Sequence, residues 1–322
     1  MKAYVYGANG AAIADIARPS PKGTQVLIRV HACGLNRADL GMTKGHAHGS
    51  AGGAGTVLGM EWAGEVAEVG PDAKGVKIGD KVMGSGSAAF AEYTLADHGR
   101  LFRTPSNMNF EEACTLPIAI STMHNAVVTN GTLQPGQTVM IQGASSGVGL
   151  MAMQIAKLKG AKLVVGSSTD ATRRGRLKEF GADLAVDSSD PGWVDQVLHA
   201  TGGEGVDLIV DQVSGSVANQ NLKATKVKGR IVNVGRLGGT HADFNFDLHA
   251  ARRISYIGVT FRTRSIEEIR EIFDEVRKDI WPAVESRKLQ MPIDRVFAFN
   301  DIGKAFEHME ANRHLGKIVV RV

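Results

Sequence analysis

Apolar and polar positions follow two different patterns along this chain. Between residues 119 and 261, short apolar runs are separated by segments whose apolar residues recur at helical spacing. The apolar runs predict buried strands at 139–142, 162–166, 183–186, 206–211, 230–234 and 254–260. The segments between them predict helices at 150–156, 171–180, 191–200 and 217–225. This rhythm predicts an α/β fold with a six-strand doubly wound parallel sheet, the Rossmann arrangement.

Residues 1–118 show short strands and frequent turns instead. A strand is predicted at 25–30, period-two alternation marks 64–70, and a turn enters another strand at 79–84. These features predict a compact β-rich domain. Capping boxes at 109–112 and 265–268 each predict a helix start, and the second helix has one apolar face. A turn with a helix at 300–309 and a strand within 312–320 complete the predicted elements.

The strand at 139–142 runs directly into a glycine-rich turn, which a helix follows. Glycines allow the backbone to approach a ligand closely, and the first N–H groups of a helix favour an anion. This context predicts a site for the pyrophosphate of a dinucleotide. Its predicted contacts are Ala144, Ser145, Ser146, Gly147 and Val148.

The same turn has a second interpretation, because residues 143–147 also fit G-x-S-x-G, the nucleophile elbow of α/β-hydrolases. A hydrolase needs an acid and then a histidine after later strands. Asp211 stands in a possible place for the acid, and His241 and His249 are the candidates for the histidine. The alternation of strand and helix favours the dinucleotide interpretation, and the hydrolase remains the alternative.

Composition restricts the class of protein only mildly. A length of 322 residues suggests two domains, and 43% hydrophobic with 22% charged residues is typical of a globular protein. The net charge is +4, with Lys and Arg mostly interspersed among acids, so we do not expect a nucleic-acid partner. The sequence shows neither a signal peptide nor an apolar stretch of roughly 20 residues, and we expect no membrane association. Only Cys33 and Cys114 are present, which favours a reducing, cytoplasmic location.

Three motifs in the first domain resemble the medium-chain dehydrogenase/reductases. They are HACGLNRAD at 31–39, GMEWAG at 59–64 and GDKV at 79–82. The resemblance implies a GroES-like catalytic domain from 1–118 and 262–322, with a Rossmann dinucleotide-binding domain at 119–261. In the zinc enzymes of this superfamily, Cys and His occupy the positions of Asn36 and Met60.

Neither Asn36 nor Met60 is a good zinc ligand, because an amide binds weakly and a thioether prefers softer metals. The cysteine-rich structural zinc lobe is also missing, since 89–93 leads directly to 101–105. We therefore expect no metal. The chain resembles the zinc-free quinone oxidoreductase (zeta-crystallin-like) branch, which implies an NADP(H)-dependent reductase of quinones or α,β-unsaturated carbonyls.

The resemblance implies three catalytic residues. The amide of Asn36 would face the substrate or nicotinamide, although an Asn can also simply satisfy a turn. Thr122 would lie beside the nicotinamide, although a helical Thr can bond to its own backbone. Arg236 would bind a substrate carbonyl or phosphate, or pair with an acid. Gly41 stands where quinone reductases often carry a Tyr, which weakens the case for a quinone.

The cofactor preference is predicted from the end of the second strand. NAD enzymes carry an acid there, whereas this chain has Ser168, followed by Arg173. An Arg fork suits phosphate oxygens, so we predict NADP(H), although Asp170 is a contrary feature. Arg176 is expected to belong to a solvated helix face. The resemblance implies further cofactor contacts at Val213, Val234, Gly235, Phe261 and Lys317.

The glycine-rich segment 45–55 is predicted to form a lip over the active site. His46 and His48 within it are not expected to bind metal, because the segment fixes no geometry. The substrate is expected to be a small electrophile. Enoyl-thioester reduction and a non-catalytic NADPH-binding role remain alternatives. The resemblance also implies a homodimer, with residues 254–260 at the seam.

Overall fold

A computed structural model of the chain describes residues 1–49 and 52–322. Ser50 and Ala51, which belong to the predicted lip, lie outside the described residues. The chain divides into two compact units, residues 1–121 with 261–322 and residues 122–260. The sequence predicted these boundaries after residues 118 and 261. Thr122 therefore falls in the second unit and Phe261 in the first.

The second unit is built on a six-stranded parallel sheet. In spatial order its strands are β11 (Leu184–Val186), β10 (Leu163–Ser167), β9 (Thr138–Gln142), β12 (Val206–Asp211), β13 (Thr225–Asn233) and β14 (Ser255–Gly258). The central strands are largely buried, which explains their continuous apolar runs. The order 3-2-1-4-5-6 within the sheet is that of the Rossmann fold, and the fold prediction is confirmed.

The first unit contains two sheets. Strands β1 (Lys2–Gly7), β2 (Gly10–Asp15) and β4 (Thr56–Val57) form the smaller one. The larger sheet contains β3 (Gln25–Gly34), β5 (Glu61–Val69), β6 (Lys81–Ser85), β7 (Tyr93–Asp97), β8 (Leu101–Arg103), β15 (Ile293–Ala298) and β16 (Lys317–Arg321). Strand β16 lies between β15 and β3, so the end of the chain completes a sheet begun near its start. The β-rich GroES-like prediction is confirmed.

The helices vary in length between the short turn of α2 and the long α9. They are α1 (Arg37–Met42), α2 (Phe110–Ala113), α3 (Pro117–His124), α4 (Gly147–Leu158), α5 (Ala171–Arg176), α6 (Trp193–Ala200), α7 (Ala218–Ala224), α8 (Phe246–Arg252), α9 (Ile266–Asp279), α10 (Trp281–Glu285) and α11 (Ile302–Glu310). Both predicted capping boxes are present, at the starts of α2 and α9. The predicted helix at 171–180 is α5 followed by a 3-10 turn.

Each unit has its own hydrophobic core. In the first, Trp62, Phe90 and Phe306 belong to one buried cluster. In the second, Met140 and Trp193 pack with the strand residues of the sheet. Among residues 1–49 and 52–322, none of the helices combines the length and apolar composition that crossing a bilayer requires.

Candidate functional site

The glycine turn of the second unit is held by short, well-defined contacts. Gly143 adopts a φ of 74°, and its N–H donates to Ser167 Oγ at 2.9 Å. Ser146 caps helix α4, because its Oγ accepts from the Gly149 N–H at 3.1 Å. The same Oγ lies 2.7 Å from Gln212 Oε1. These bonds fix the turn that the sequence assigns to a pyrophosphate.

Gly149 packs directly against the turn that precedes its helix. A Cβ at this position would lie 2.6 Å from the Gly143 carbonyl oxygen and 2.7 Å from Ala144 Cα. Both atoms belong to the backbone and cannot move aside cheaply. The start of α4 therefore approaches the end of β9 more closely than any residue with a side chain allows.

A buried chain of polar side chains runs along the carboxyl ends of the strands. Ser167 Oγ donates to Gln142 Oε1 at 2.6 Å, and Gln142 Nε2 donates to Asn221 Oδ1 at 2.8 Å. Asn221 Nδ2 then donates to Asp211 Oδ2 at 2.9 Å. All four are fully buried. We call this set the Ser167–Asp211 chain. It fixes the edge of the sheet where this fold binds ligands.

The far end of the Ser167–Asp211 chain holds the turn after β12. Asp211 Oδ1 accepts from the N–H groups of Val213, at 2.8 Å, and Ser214, at 2.9 Å. Burial raises the pKa of Asp211, and these donors oppose that rise. Ser214 Oγ donates to the Gly235 carbonyl at 2.6 Å, which joins this turn to the one after β13. Val213, Val234 and Gly235 thus lie on two linked turns, and their contact with a cofactor stays a prediction.

The predicted 2′-phosphate end centres on Ser168 and Arg173. Ser168 is 5% exposed, and its Oγ donates to Ser145 Oγ at 3.0 Å. Asp170 caps α5 by accepting from the Arg173 N–H at 2.8 Å. Arg173 Nε lies 3.6 Å from Asp170 Oδ1 and, among the described residues, makes no hydrogen bond although it is buried. Such a donor is available to a phosphate oxygen.

The neighbouring arginines have other partners. Arg174 Nη1 donates to the Ser168 carbonyl at 2.8 Å and to Asp187 Oδ2 at 2.9 Å. Arg176 pairs with Glu179 at 2.9 Å, and its side chain is 48% exposed. The interpretation of Arg176 as part of a solvated face is confirmed.

Arg236 lies on the exposed surface of the second unit. Its Nη1 donates to the Val234 carbonyl at 3.3 Å. It lines a cavity of about 430 Å³ together with Asn233, Phe244 and Tyr256. The guanidinium therefore lies beside a cavity with aromatic walls, and its catalytic role stays a prediction.

The first unit contains a buried charge cluster that consists of Asn36, Asp39, Glu61 and Lys317. Lys317 is 3% exposed, and its ammonium forms a short ion pair with Glu61 Oε2, which is fully buried. Lys317 Nζ also donates to Asn36 Oδ1 at 2.7 Å. The Asn36 amide donates to Glu61 Oε2 at 3.1 Å and to the Gly34 carbonyl at 3.3 Å. Asn36 is thus held at both ends of its amide.

Asp39 belongs to the same cluster through the backbone of Asn36. Its Oδ2 accepts from the Asn36 N–H at 2.8 Å, across the start of α1. Burial raises the pKa of Asp39 to about 7, and the nearby Glu61 adds to that rise, while the Asn36 N–H and Lys317 oppose it. A carboxyl group with this pKa titrates in the physiological range.

The remaining predicted residues have simpler surroundings. Thr122 is half-buried on α3, and within the described ranges its hydroxyl makes no hydrogen bond, so it does not bond to its own backbone. Phe261 is half-buried at the start of the return segment of the first unit. The roles of Asn36, Thr122, Phe261 and Lys317 stay predictions.

Among the described residues, the groups that a hydrolase would require do not come together. Ser145 Oγ accepts from Ser168, and no histidine of the described residues bonds to it. His241 lies 2.9 Å from the Thr240 hydroxyl, while His249 packs against Phe244. Within residues 1–49 and 52–322, no group of three or more His, Cys, Asp or Glu side chains is placed to hold a metal.

Sequence reasoning missed Glu61, Asp39 and the Ser167–Asp211 chain. Glu61 follows Met60 in one of the motifs that carry the resemblance, and it opens a strand whose next three residues are all buried. A charge placed in a buried strand was the available signal, because such a charge needs a partner. Asp39 gave no comparable signal, since Arg37-Ala38-Asp39 is an ordinary polar helix start.

Comparisons with known proteins agree with this geometry. The alcohol dehydrogenase GroES-like domain matches residues 22–106, and the zinc-binding dehydrogenase family matches residues 147–278. Human quinone oxidoreductase is 30% identical over 263 residues, which cover 80% of this chain and 78% of that protein. A crystal structure of an alcohol dehydrogenase superfamily protein from Novosphingobium aromaticivorans has a TM-score of 0.90 at 29% identity, and the match covers 100% of this chain and 99% of that one.

A polyketide synthase is also similar to this chain. A phenolphthiocerol/phthiocerol polyketide synthase of Mycobacterium tuberculosis is 29% identical over 310 residues, which are 96% of this chain. The chain spans only 14% of the length of that relative. The chain belongs to the medium-chain dehydrogenase/reductase superfamily, in its quinone oxidoreductase-like branch. The members of this superfamily are oxidoreductases that use a nicotinamide cofactor.

Proposed function

We propose that the chain is a zinc-independent, NADPH-dependent reductase of quinones or α,β-unsaturated carbonyls. The observation that carries the proposal is the pair of Ser168 and Arg173 at the end of β10. Ser168 stands where an NAD enzyme carries an acid, and five residues later Arg173 has a buried guanidinium nitrogen without a hydrogen bond in the described part of the chain. This supports a 2′-phosphate at that position. The similarity to a quinone oxidoreductase supports the acceptor class.

The second unit supplies the groups that hold the cofactor. The N–H groups at the start of α4 suit a pyrophosphate, and Ser146 fixes their direction by capping the helix. Ser168 and Arg173 suit the 2′-phosphate. A reduced nicotinamide supplies a hydride when it is bound. The Ser167–Asp211 chain keeps the supporting turns in place before any ligand arrives.

Zinc independence is supported by the chemistry of two positions. Asn36 and Met60 stand where zinc enzymes carry Cys and His, and the amide of Asn36 is already bonded to Lys317, Glu61 and Gly34. Charge that develops on the acceptor oxygen must then be stabilised by hydrogen-bond donors. Thr122 has a free hydroxyl for this role within the described residues, and Arg236 contributes a cation. Asn36 can donate only by giving up its longest bond, to Gly34.

The first test measures NADPH consumption against a panel of quinones and a panel of enones, with NADH, added zinc and chelator as controls. Turnover with NADPH that is indifferent to chelator is expected. Loss of turnover on chelation would contradict zinc independence. NADPH binding without turnover on any acceptor would instead indicate a non-catalytic NADPH-binding protein. Thr122→Val is expected to lower kcat, and unchanged kcat would remove Thr122 from the site.

Cofactor preference is tested by Arg173→Met. Loss of the partly buried guanidinium is expected to raise the KM for NADPH by roughly 10-fold to 100-fold and to leave the KM for NADH unchanged. Arg176→Met is the matched control, because it removes a solvated arginine of the same helix. Equal effects of the two substitutions on NADPH would contradict the assignment.

Enoyl-thioester reduction is the second candidate, and the similarity to a polyketide synthase favours it. The cofactor and hydride chemistry would be the same, and the acceptor would be an enoyl thioester. Steady-state kcat/KM for an enoyl-CoA, measured beside the free enone of equal length, separates the two. A clear preference for the thioester would replace the quinone or free enone in the proposal.

The proposal includes a homodimer in a reducing compartment such as the cytoplasm. Strand β14 ends the six-stranded sheet, and Tyr256 on it is 37% exposed. Both cysteines are free and buried, as suits a reducing compartment. Light scattering after gel filtration tests the dimer, and a monomer at micromolar concentration would contradict it.

A further inference from the structure

The buried charge cluster contains two carboxyl groups and one cation. Asp39 and Glu61 are both fully buried, and Lys317 is the ammonium that contacts the cluster. A buried charge without a compensating partner is strongly unfavourable. The cluster is neutral only when one of the two carboxyl groups holds a proton.

The hydrogen bonds show which carboxyl group that is. Lys317 has three N–H donors, and they serve Glu61, Asn36 at 2.7 Å and the Leu35 carbonyl at 3.4 Å. Glu61 accepts in addition from the Ile118 N–H at 2.7 Å and from the Asn36 amide. Glu61 is therefore surrounded by donors on both oxygens and is stable as a carboxylate.

Asp39 has far fewer donors. Its Oδ2 accepts from the Asn36 N–H, whereas Oδ1 is buried and has no hydrogen-bond partner among the described residues. A carboxylate oxygen in this position is costly, but the same oxygen can carry the proton of a carboxylic acid. Counting donors thus assigns the proton to Asp39, and its raised pKa agrees.

No other element supplies Asp39 with a second cation in the described ranges. Strand β5 contributes Glu61, strand β16 contributes Lys317, and strand β3 contributes the Cys33 thiol. Burial raises the pKa of this thiol well above its usual range, so it is uncharged. Helix α11 packs on α1 with an apolar face. Its Glu310 pairs with Lys44 on the exposed surface instead.

We propose that Asp39 holds a proton during turnover and that its loss, which leaves the cluster with one extra negative charge, slows hydride transfer. This inference rests on the proposed function. Negative charge develops on the acceptor oxygen as the hydride arrives, and Asn36, a member of the cluster, is a candidate to face that acceptor. An added buried anion in the cluster opposes that charge. Asp39 acts as a positioning and electrostatic residue and contacts no reacting atom.

The kinetic test compares wild type with Asp39→Asn between pH 5.5 and 9. Asn keeps an acceptor for the Asn36 N–H and stays neutral, so it mimics the protonated acid. We expect the wild-type kcat to fall about tenfold with an inflection near pH 7, and the kcat of Asp39→Asn to stay within about twofold over the range. Asp80→Asn is the matched control, because Asp80 is a buried Asp of the same unit that pairs with Lys77. The control should keep the wild-type profile.

An Asp39→Asn variant that retains the wild-type inflection would overturn the inference. A second measurement needs no variant. The backbone N–H of Asn36 donates to Asp39 Oδ2, so the chemical shift of this proton reports the charge of Asp39. The nuclear magnetic resonance shift of this amide in the wild-type protein is expected to titrate with a midpoint near pH 7. A shift that stays constant from pH 5 to 9 would overturn the inference, even if Asp39→Asn fails to fold.

The two measurements separate this inference from the proposed function. A pH-dependent shift of the Asn36 backbone N–H, without turnover on any acceptor, would support the proton on Asp39. It would overturn the proposed function and the effect on the rate of hydride transfer. Turnover with NADPH and a flat pH profile would support the proposed function and overturn the inference.

Discussion

The two units stabilise buried polar groups in different ways. In the second unit, the Ser167–Asp211 chain links largely neutral groups, and each donor finds one acceptor at 2.6 to 2.9 Å. In the first unit, one cation serves two carboxyl groups, and one oxygen of Asp39 is left without a partner among the described residues. The first arrangement has a single ionisable member, Asp211, and both of its carboxyl oxygens accept hydrogen bonds. The second has a charge balance that one proton decides.

The two arrangements differ in what they can do: the Ser167–Asp211 chain fixes the positions of turns, whereas the buried charge cluster can change its net charge with pH. A network in which each polar group has a partner holds turns in place, and the backbone N–H groups are then available to bind the ligand. A cluster with an odd number of buried charges is less stable, yet it allows the electrostatic field of a site to change with pH. The following predictions test whether the two units differ in this way.

The largest expected effect is on the ion pair of the first unit. Below pH 7, where Asp39 holds its proton, Glu61→Gln leaves the buried Lys317 ammonium without a carboxylate and should lower the free energy of unfolding by about 3–5 kcal/mol. The exposed pair of Lys44 and Glu310 is the matched control, with side chains 54% and 57% exposed. Glu310→Gln should cost less than about 1 kcal/mol. Denaturant unfolding of both variants measures the two changes. Equal losses of unfolding free energy would contradict the prediction that the buried pair contributes more to stability than the exposed pair.

Asp39 should make the stability of the protein depend on pH. Its pKa is raised in the folded state, so the unfolded chain loses this proton first and stability falls as pH rises from about 4 to about 7. The slope expected from one proton is about 1.4 kcal/mol for each pH unit, and it levels off above pH 7. Asp39→Asn removes this contribution. The difference between the unfolding free energies of variant and wild type should therefore grow up to pH 7 and then stay constant, and a constant difference throughout would contradict the prediction.

The glycine turn of the second unit should be sensitive to the volume of its side chains instead. Gly149→Ala places a Cβ against the backbone of Gly143 and Ala144, which should cost about 1–3 kcal/mol and weaken NADPH binding. Gly175→Ala is the control, because a Cβ there meets no described atom within 4 Å. That substitution should stabilise α5 by up to about 1 kcal/mol. Calorimetric titration with NADPH and thermal unfolding provide both measurements, and equal NADPH affinity in the two variants would contradict a tight helix start.

The sequence predicted the second unit well for a physical reason. Strands buried on both faces must be continuously apolar, and the helices between them must be amphipathic. Each element can therefore be recognised from its own stretch of sequence. The glycine turn and the cap at Ser146 are also local features. The Ser167–Asp211 chain was beyond reach, because its members come from four elements whose alignment depends on strand register.

The first unit was predicted only in outline. Asn36 and Lys317 were named through a resemblance, but their contact joins residues 281 positions apart. That contact exists because β16 pairs with β3, and no local pattern specifies this pairing. The burial of Asp39 has the same origin. The sequence shows Asp39 only as part of a motif, whereas the packed unit shows that its side chain is fully buried.

The position of β16 between β15 and β3 also has a consequence for synthesis of the chain. Residues 122–260 emerge from the ribosome as one uninterrupted stretch and can fold as soon as they are complete. Glu61 of the first unit lacks the cation of its ion pair until Lys317 has been translated. We therefore expect the second unit to fold before the first, although residues 1–121 of the first unit are translated earlier.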